Sequence, residues 1–474
     1  MIPTTCPESA QSLPLKCGRI NVPLNYAQPR GEQLSLWFGL YDGTSQANET
    51  LQANETLQEY KPEAFTLVPG GPGGSSSQTI PAFDTFKITD GLRNLSMPLV
   101  FVDPRGTGES QVLVCPVPQN SSFSSDPAVV NACGRSIGAR RIHFNTANMA
   151  RDLNTVKKAL NIGKWNMWGE SFGTAVTTEY IRMFPTDAKT YVLDSAFVYS
   201  QSAKATSEFY QTSREVATSV CERASVCEVD TYLQNLRTVL EDLRLNPRQP
   251  DLLRSLSVFA FDPFYLVKRN MSEVLESAAN GNYTDLEVLV SERQAIADSV
   301  FENPKALSLG LLLTITCREA VSAWGPHDGT DEQLTKFEGK LLTENPEDFG
   351  PFLPEEFFKQ TSYEFICLGW PKLPKGVQIR DLVPYPSGRI DNKDVPVLVM
   401  NGEYDLRTTV AEGKRAAMRF KSNVGFAKIA SAGHAIAGIS ECGSKLGLDF
   451  VRSGKLPDTR RCSDPATQPI LVTL

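Results

Sequence analysis

Histidine is scarce in this sequence. Its 474 residues hold three, His143, His327 and His434. No Cys-x-x-Cys pair and no His-Glu-x-x-His helix supplements them, which argues against a metal centre, and neither metal nor cofactor is expected. Basic residues are not in surplus: 47 Lys and Arg stand against 54 Asp and Glu, for a net charge of −7. They are also scattered, so the electrostatic footprint that a nucleic acid or an anionic membrane would need is missing. Long apolar runs are absent as well. The least polar stretch, Leu307 to Cys317, falls far short of the ~20 residues that span a bilayer. What remains, 41% hydrophobic and 21% charged residues without a biased tract, is an ordinary globular composition. By length the chain holds about three domain-sized units, or one large α/β core with an insertion.

Cysteine, by contrast, is plentiful. The ten fall into sequence-adjacent couples: Cys6 and Cys17, Cys115 and Cys133, Cys221 and Cys227, Cys317 and Cys367, Cys442 and Cys462. An even number in close couples reads as a disulfide set formed in an oxidising compartment; the alternative is that several are buried free thiols. Six Asn-x-Ser/Thr sequons, at Asn48, Asn54, Asn94, Asn120, Asn270 and Asn282, point the same way, as glycosylation acceptors on exposed loops. No charged segment followed by an apolar one precedes Cys6, so the expectation is a mature secreted chain whose signal has been removed.

Residues Ala47 to Gln58 repeat Ala-Asn-Glu-Thr-Leu-Gln twice, a polar duplication of the kind an exposed hairpin loop tolerates, lying between strand-like Leu34 to Tyr41 and Ala64 to Val68. Short apolar runs at Leu99 to Val102, Trp165 to Trp168, Tyr191 to Leu193, Pro396 to Met400 and Gly425 to Ala430 end in Gly, Asp or Ser, as buried parallel strands do. Between them, Asn148 to Leu160 and Phe172 to Phe184 have helical spacing. This alternation predicts a mostly parallel, doubly wound sheet. From about Ser200 to Gly376 it gives way to helical patterns, including Leu233, Leu236, Leu240 and Leu243 and the segments Thr284 to Phe301, Lys305 to Ala323 and Glu332 to Leu342. The expected organisation is a core formed by 1–199 and 377–474, with 200–376 as a mainly helical cap over the carboxyl ends of the strands.

Gly169-Glu170-Ser171-Phe172-Gly173 follows a strand-like run and precedes a helix. That is the setting of a nucleophile elbow, where flanking glycines allow the sharp turn that exposes a serine hydroxyl at a helix amino terminus. The hydroxyl needs a base. His434, in Ala432-Gly433-His434-Ala435, follows the run ending near Ala430, whereas His143 lies beside Arg140 and Arg141 and His327 in a Pro-Gly turn, both read as solvated surface. The base is therefore His434. Asp405, in the loop after Pro396 to Met400, is the preferred acid, giving the chain order Ser, Asp, His; Asp194 and Glu403 compete for the role. Pro69-Gly70-Gly71-Pro72-Gly73-Gly74 follows Ala64 to Val68, so N–H groups of Gly70 or Gly71, with that of Phe172, are the candidate oxyanion donors. Asp103 to Ser110 is read as a structural turn bracing its neighbours through an Asp–Arg pair.

With these residues in place the chain resembles the α/β-hydrolase serine peptidases, in particular the proline iminopeptidase and tripeptidyl aminopeptidase group. The resemblance rests on Gly70 to Gly74, the Asp-x-Arg-Gly-x-Gly-x-Ser turn at Asp103 to Ser110, Ala150-Arg151-Asp152-Leu153, the elbow with Gly173-Thr174, Val192-Leu193-Asp194, Cys367-Leu368-Gly369-Trp370-Pro371, and the Asp405 and His434 loops. Proline iminopeptidases carry His before the glycine loop; Pro69 stands here, as in the tripeptidyl branch. The resemblance implies a secreted exopeptidase releasing short peptides from a free amino terminus through an acyl-enzyme. It also implies a cap carboxylate for the substrate's ammonium, with Glu319 the candidate and a surface Glu paired with Arg318 the alternative. A Cys317–Cys367 bridge would tie two parts of the cap together. The expected partner is a peptide or small acyl substrate. An esterase, lactonase or tailoring hydrolase on the same fold is the rival reading, and a non-catalytic binding member the second.

Overall fold

The computed structural model describes all residues except 43–61, 86–87, 96, 117–125, 199–204, 247–249, 320–323, 326, 362, 374–387 and 471–474. The duplication and the sequons at Asn48, Asn54 and Asn120 lie outside the described residues. Asn94, Asn270 and Asn282 are exposed.

Nine strands form one sheet: β1 (Ile2–Pro3), β2 (Lys16–Pro23), β3 (Gln33–Tyr41), β4 (Glu63–Val68), β5 (Leu99–Val102), β6 (Lys164–Glu170), β7 (Ala188–Asp194), β8 (Val397–Gly402) and β9 (Val424–Ile429). Their order is β1-β2-β3-β5-β4-β6-β7-β8-β9. β1, β2, β3 and β5 pair antiparallel, and every pair from β5 through β9 is parallel. The sequence reading missed β1, only two residues long, and β2, whose polar, partly exposed residues mask its alternation.

Side chains of the central strands alternate between two cores. Ala64, Val68, Val100, Val102, Val397 and Val399 enter one, with helices Thr146–Ala159 and Phe172–Met183 behind them. Phe65, Leu67, Leu99, Phe101, Leu398 and Met400 enter the other, beneath helix Glu441–Ser453. Burial on both faces is why these strands read as unbroken apolar runs.

Between β7 and β8 the described chain is helical, from Ala205–Ala224 to Tyr363–Ile366. A third apolar cluster, reaching from Val216 to Leu368, fills this segment. Helix Leu309–Glu319 departs from the expectation for a cap helix. Its Leu309, Leu311, Leu313 and Ile315 join the sheet-side core because Gly310 lets the helix lie against the Leu113 carbonyl, where a side chain would meet that oxygen at 2.5 Å. The ten cysteines pair as Cys6–Cys17, Cys115–Cys133, Cys221–Cys227, Cys317–Cys367 and Cys442–Cys462. Five disulfides suit an oxidising compartment. The Cys317–Cys367 bridge thus fastens a core-packed helix. Among the described residues, no helix is long and apolar enough to cross a membrane.

Candidate active site

The strand order puts the chemistry in a row. β6, β7, β8 and β9 are neighbours, and the turns at their carboxyl ends deliver Ser171, Asp194, Asp405 and His434 in that sequence. β4 lies on the other side of β6, with Val68 opposite Gly169, so the glycine loop opens beside the elbow. The chain leaves β4 for β5 on one side and returns to β6 on the other, a topological switch point of the kind at which open α/β sheets bind ligands.

Ser171 has φ 52° and ψ −120°, a strained conformation for a residue with a side chain, and helix Phe172–Met183 starts directly after it. Two close approaches require glycine here. A Cβ on Gly173 would fall 2.0 Å from the Val68 carbonyl oxygen, and one on Gly70 would fall 2.9 Å from Ser171 Cβ. The glycine loop therefore lies directly against Ser171.

His434 Nδ1 and Asp405 Oδ2 are 2.8 Å apart. Asp405 Oδ1 accepts from the N–H groups of Arg407 and Thr408, both at 2.8 Å, and Oδ2 accepts also from Thr408 Oγ1 at 2.6 Å. With Nδ1–H pointed at this carboxylate, Nε2 is left as the basic nitrogen. The Asp405 side chain is fully buried while that of His434 keeps 17% exposure, so the carboxylate is sealed and the imidazole is reachable. Burial penalises the Asp405 charge, yet the His434 charge and the hydrogen bonds outweigh it and hold the carboxyl below its ordinary value. Burial likewise works against the imidazolium, and the Asp405 charge and hydrogen bond overcome it, so His434 is held above an ordinary histidine.

The two competing carboxylates are engaged elsewhere. Asp194 accepts from Trp168 Nε1 at 3.1 Å, from Ser195 Oγ at 3.1 Å, and from the N–H groups of Ile436 and Ala437 at 2.9 Å, while its carbonyl accepts from Ser171 N–H at 2.9 Å. It ties the elbow to the histidine loop. Ser195 Oγ adds a bond from Ala435 N–H at 2.9 Å. Glu403 pairs with Lys428 and accepts from Ser431 N–H at 3.0 Å, stitching the acid loop to the histidine loop. Glu170, half-buried at the end of β6 opposite Asp194, has its carboxyl pushed up to about 7 by burial and by the Asp194 charge.

Asp103 and Arg105 do brace the site, though not through each other. Asp103 accepts from Ser77 N–H, Ser77 Oγ and Glu109 N–H, all at 2.7 Å, which fixes the helix that follows the glycine loop. Arg105 makes a two-pronged pair with Asp152, at 2.6 Å each, because the buried guanidinium needs a carboxylate of matching shape. His327 is exposed; His143 is half-buried, and burial with the Arg105 charge lowers its basicity. Among the described residues, no group of three or more His, Cys, Asp or Glu could hold a metal ion. An apolar cavity adjoins the glycine loop, walled in part by Val68, Gly70, Phe172, Val176 and Leu311.

Glu319 is neither a surface residue nor an open ligand. It is 4% exposed, and its two oxygens accept from the N–H and the hydroxyl of Thr146, capping helix Thr146–Ala159. Arg318 donates to the Ile142 carbonyl instead. An ammonium could reach Glu319 only by displacing this cap. Burial pushes the Glu319 carboxyl up to about 7. A carboxyl raised on folding stabilises the fold fully below its unfolded value and progressively less as pH rises through the folded value. Melting temperature should therefore fall between pH 5 and 8, and Glu319→Gln should flatten that fall; an unchanged calorimetric pH profile would refute this account.

Sequence reading passed over Thr408, Ser195 and the role of Asp194. A Thr three residues after a candidate acid is a turn signal that could have shown the first. The others depend on contacts between distant loops.

Residues 63–227 match the family model described as alpha/beta hydrolase fold, and residues 354–462 match the one described as TAP-like protein. The first stretch holds the glycine loop and Ser171; the second holds Asp405 and His434. Over 202 residues the chain is 31% identical to a tripeptidyl aminopeptidase of Streptomyces coelicolor, covering 38% of this chain and 35% of that protein. Over 200 residues it is 26% identical to the serine protease Hip1 of Mycobacterium tuberculosis, again covering 38% and 35%. The match spans about a third of these relatives' length. A proline iminopeptidase of Mycobacterium smegmatis aligns over 92% of this chain and 98% of its own, with 12% identity and a TM-score of 0.38.

Proposed function

We propose that this chain, which has the α/β-hydrolase fold, is a secreted serine peptidase that releases short peptides from a free amino terminus. The observation that carries the reading is the 2.8 Å Asp405–His434 pair set two strands from a strained Ser171, with the glycine loop against that serine. In this mechanism Ser171 attacks the scissile carbonyl and passes its proton to His434 Nε2. Asp405 holds the ring in the required tautomer and offsets the imidazolium charge. N–H groups of Gly70 or Gly71 and of Phe172 stabilise the oxyanion. His434 then protonates the leaving amine, and water hydrolyses the acyl-enzyme by the same route. Residues 200–376 act as the cap between core parts 1–199 and 377–474.

The commitment of Glu319 to Thr146 favours a second reading, an esterase or lactonase with no need to bind an ammonium. Peptide anilides separate the two. An exopeptidase should turn over the unblocked forms and lose about 100-fold in kcat/KM on the acetylated ones, through loss of a desolvated charge contact. Equal rates on both, or faster turnover of simple acyl esters, would decide for the esterase.

A further inference from the structure

Arg223 lies near the end of helix Ala205–Ala224, in the inserted helical segment, yet its guanidinium is spent on the core. Nη1 donates to Tyr404 Oη and to Ser431 Oγ, both at 2.7 Å. Nη2 donates to the carbonyls of Pro465 at 2.7 Å and Gln468 at 3.1 Å. Tyr404 immediately precedes Asp405, and Ser431 lies three residues before His434. One side chain thus grips the acid loop, the base loop and the carboxyl-terminal segment together.

The surroundings make this grip specific. Tyr404 is 2% exposed and packs within the apolar cluster of the helical segment, so the residue next to the catalytic acid is seated in the cap's interior. Its hydroxyl also bonds Ser219 Oγ at 2.9 Å, one turn before Arg223 on the same helix. Ser431 is buried with φ 60°, a conformation that a side-chain-bearing residue keeps only when its neighbours enforce it. The Cys221–Cys227 bridge closes around Arg223 and ties the end of its helix. A rigid five-donor fork suits such multiple acceptors, whereas a lysine ammonium, as a point donor on a flexible stem, cannot hold all of them in one geometry.

We propose that Arg223 is a positioning residue that sets the separation of the Asp405 and His434 loops, so that docking of the helical segment governs the hydrogen bond between acid and base. The proposal rests on the triad reading above, and its test has a part that does not depend on turnover.

The chain holds only three histidines, so ¹⁵N-histidine labelling marks three imidazoles, and His434 is identified by its loss in His434→Gln. The charged groups facing His434 are Asp405, Arg407 and Glu170. In Arg223→Met, which keeps the stem and removes the fork, the His434 midpoint should move down as the Asp405 contact loosens, with those of His143 and His327 in place. On peptide substrate, kcat should fall about 10-fold at nearly constant KM, as expected when catalytic groups are misaligned rather than removed. Arg223→Lys should recover part of both effects. Arg244→Met, which breaks a pair with Glu356 inside the helical segment, should leave His434 unchanged even if it lowers the melting temperature. Should Arg223→Met fail to fold, Tyr404→Phe and Ser431→Ala each remove one acceptor and should give smaller shifts of the same sign. A His434 midpoint unchanged in Arg223→Met, or in both acceptor variants, overturns the proposal. If the wild-type protein cleaves no peptide, the peptidase reading fails while the His434 titration still decides the role of Arg223.

Discussion

Ser171→Ala should lower kcat by about 10⁶-fold, as loss of the nucleophile does in a serine peptidase. The fold should survive. Ser171 is held by backbone bonds, its N–H on the Asp194 carbonyl and its own carbonyl accepting from Thr174 N–H at 2.9 Å, and alanine keeps both. The positive φ is as costly for alanine as for serine, so the change brings no new strain. Melting temperature should therefore stay close to that of the parent. Labelling by a fluorophosphonate, read as a mass increase on the Ser171 peptide, should disappear. Turnover within about 10-fold of the parent would remove Ser171 from the mechanism, since the oxyanion donors alone sustain only a residual rate.

Asp405→Asn should cost about 10⁴-fold in kcat. Asparagine can fill the same space, but it leaves no charge beside the imidazolium and permits the wrong ring tautomer. The His434 midpoint should fall as well, because the carboxylate is what outweighs the effect of burial. Two further variants make the result decisive. Glu403→Gln should cost no more than a few-fold, since Glu403 acts on Ser431 and Lys428 rather than on the ring. Asp194→Asn should lower stability by about 2 kcal/mol, from buried N–H groups of Ile436, Ala437 and Trp168 left poorly matched. If Asp194→Asn instead matched Asp405→Asn in kcat at an unchanged melting temperature, the acid would have to be Asp194.

The contrast between these carboxylates marks how far the residues alone could be read. Ser171 was legible because its signal is local: glycines on both sides, an apolar strand before and an amphipathic helix after. Asp405 and His434 were legible through the loops that follow β8 and β9, each a short apolar run ending in turn residues. Asp194 offers a similar local signal, a buried carboxylate at the carboxyl end of β7, where Asp405 lies three residues beyond the end of β8. Only the strand order distinguishes them. β8 lies beside β9 and hands its loop to His434, while β7 places Asp194 beneath the helix that starts at Ile436. The pairing of Arg105 with Asp152 rather than Asp103, and of Glu319 with Thr146, has the same origin.

Sequence by itself determined the central sheet-forming runs, the glycine-flanked turn at Ser171, the scarcity of histidine and the cysteine couples, because each depends on residues close together in the chain or on simple counts. Tertiary structure decided which carboxylate meets His434, which acid is spent as a helix cap, and that an arginine 181 residues from Tyr404 spans the Asp405 and His434 loops. Those outcomes follow from where distant segments cross. A polar group about to be buried takes whichever partner the fold brings within hydrogen-bond reach, and its sequence neighbours have no say in that choice.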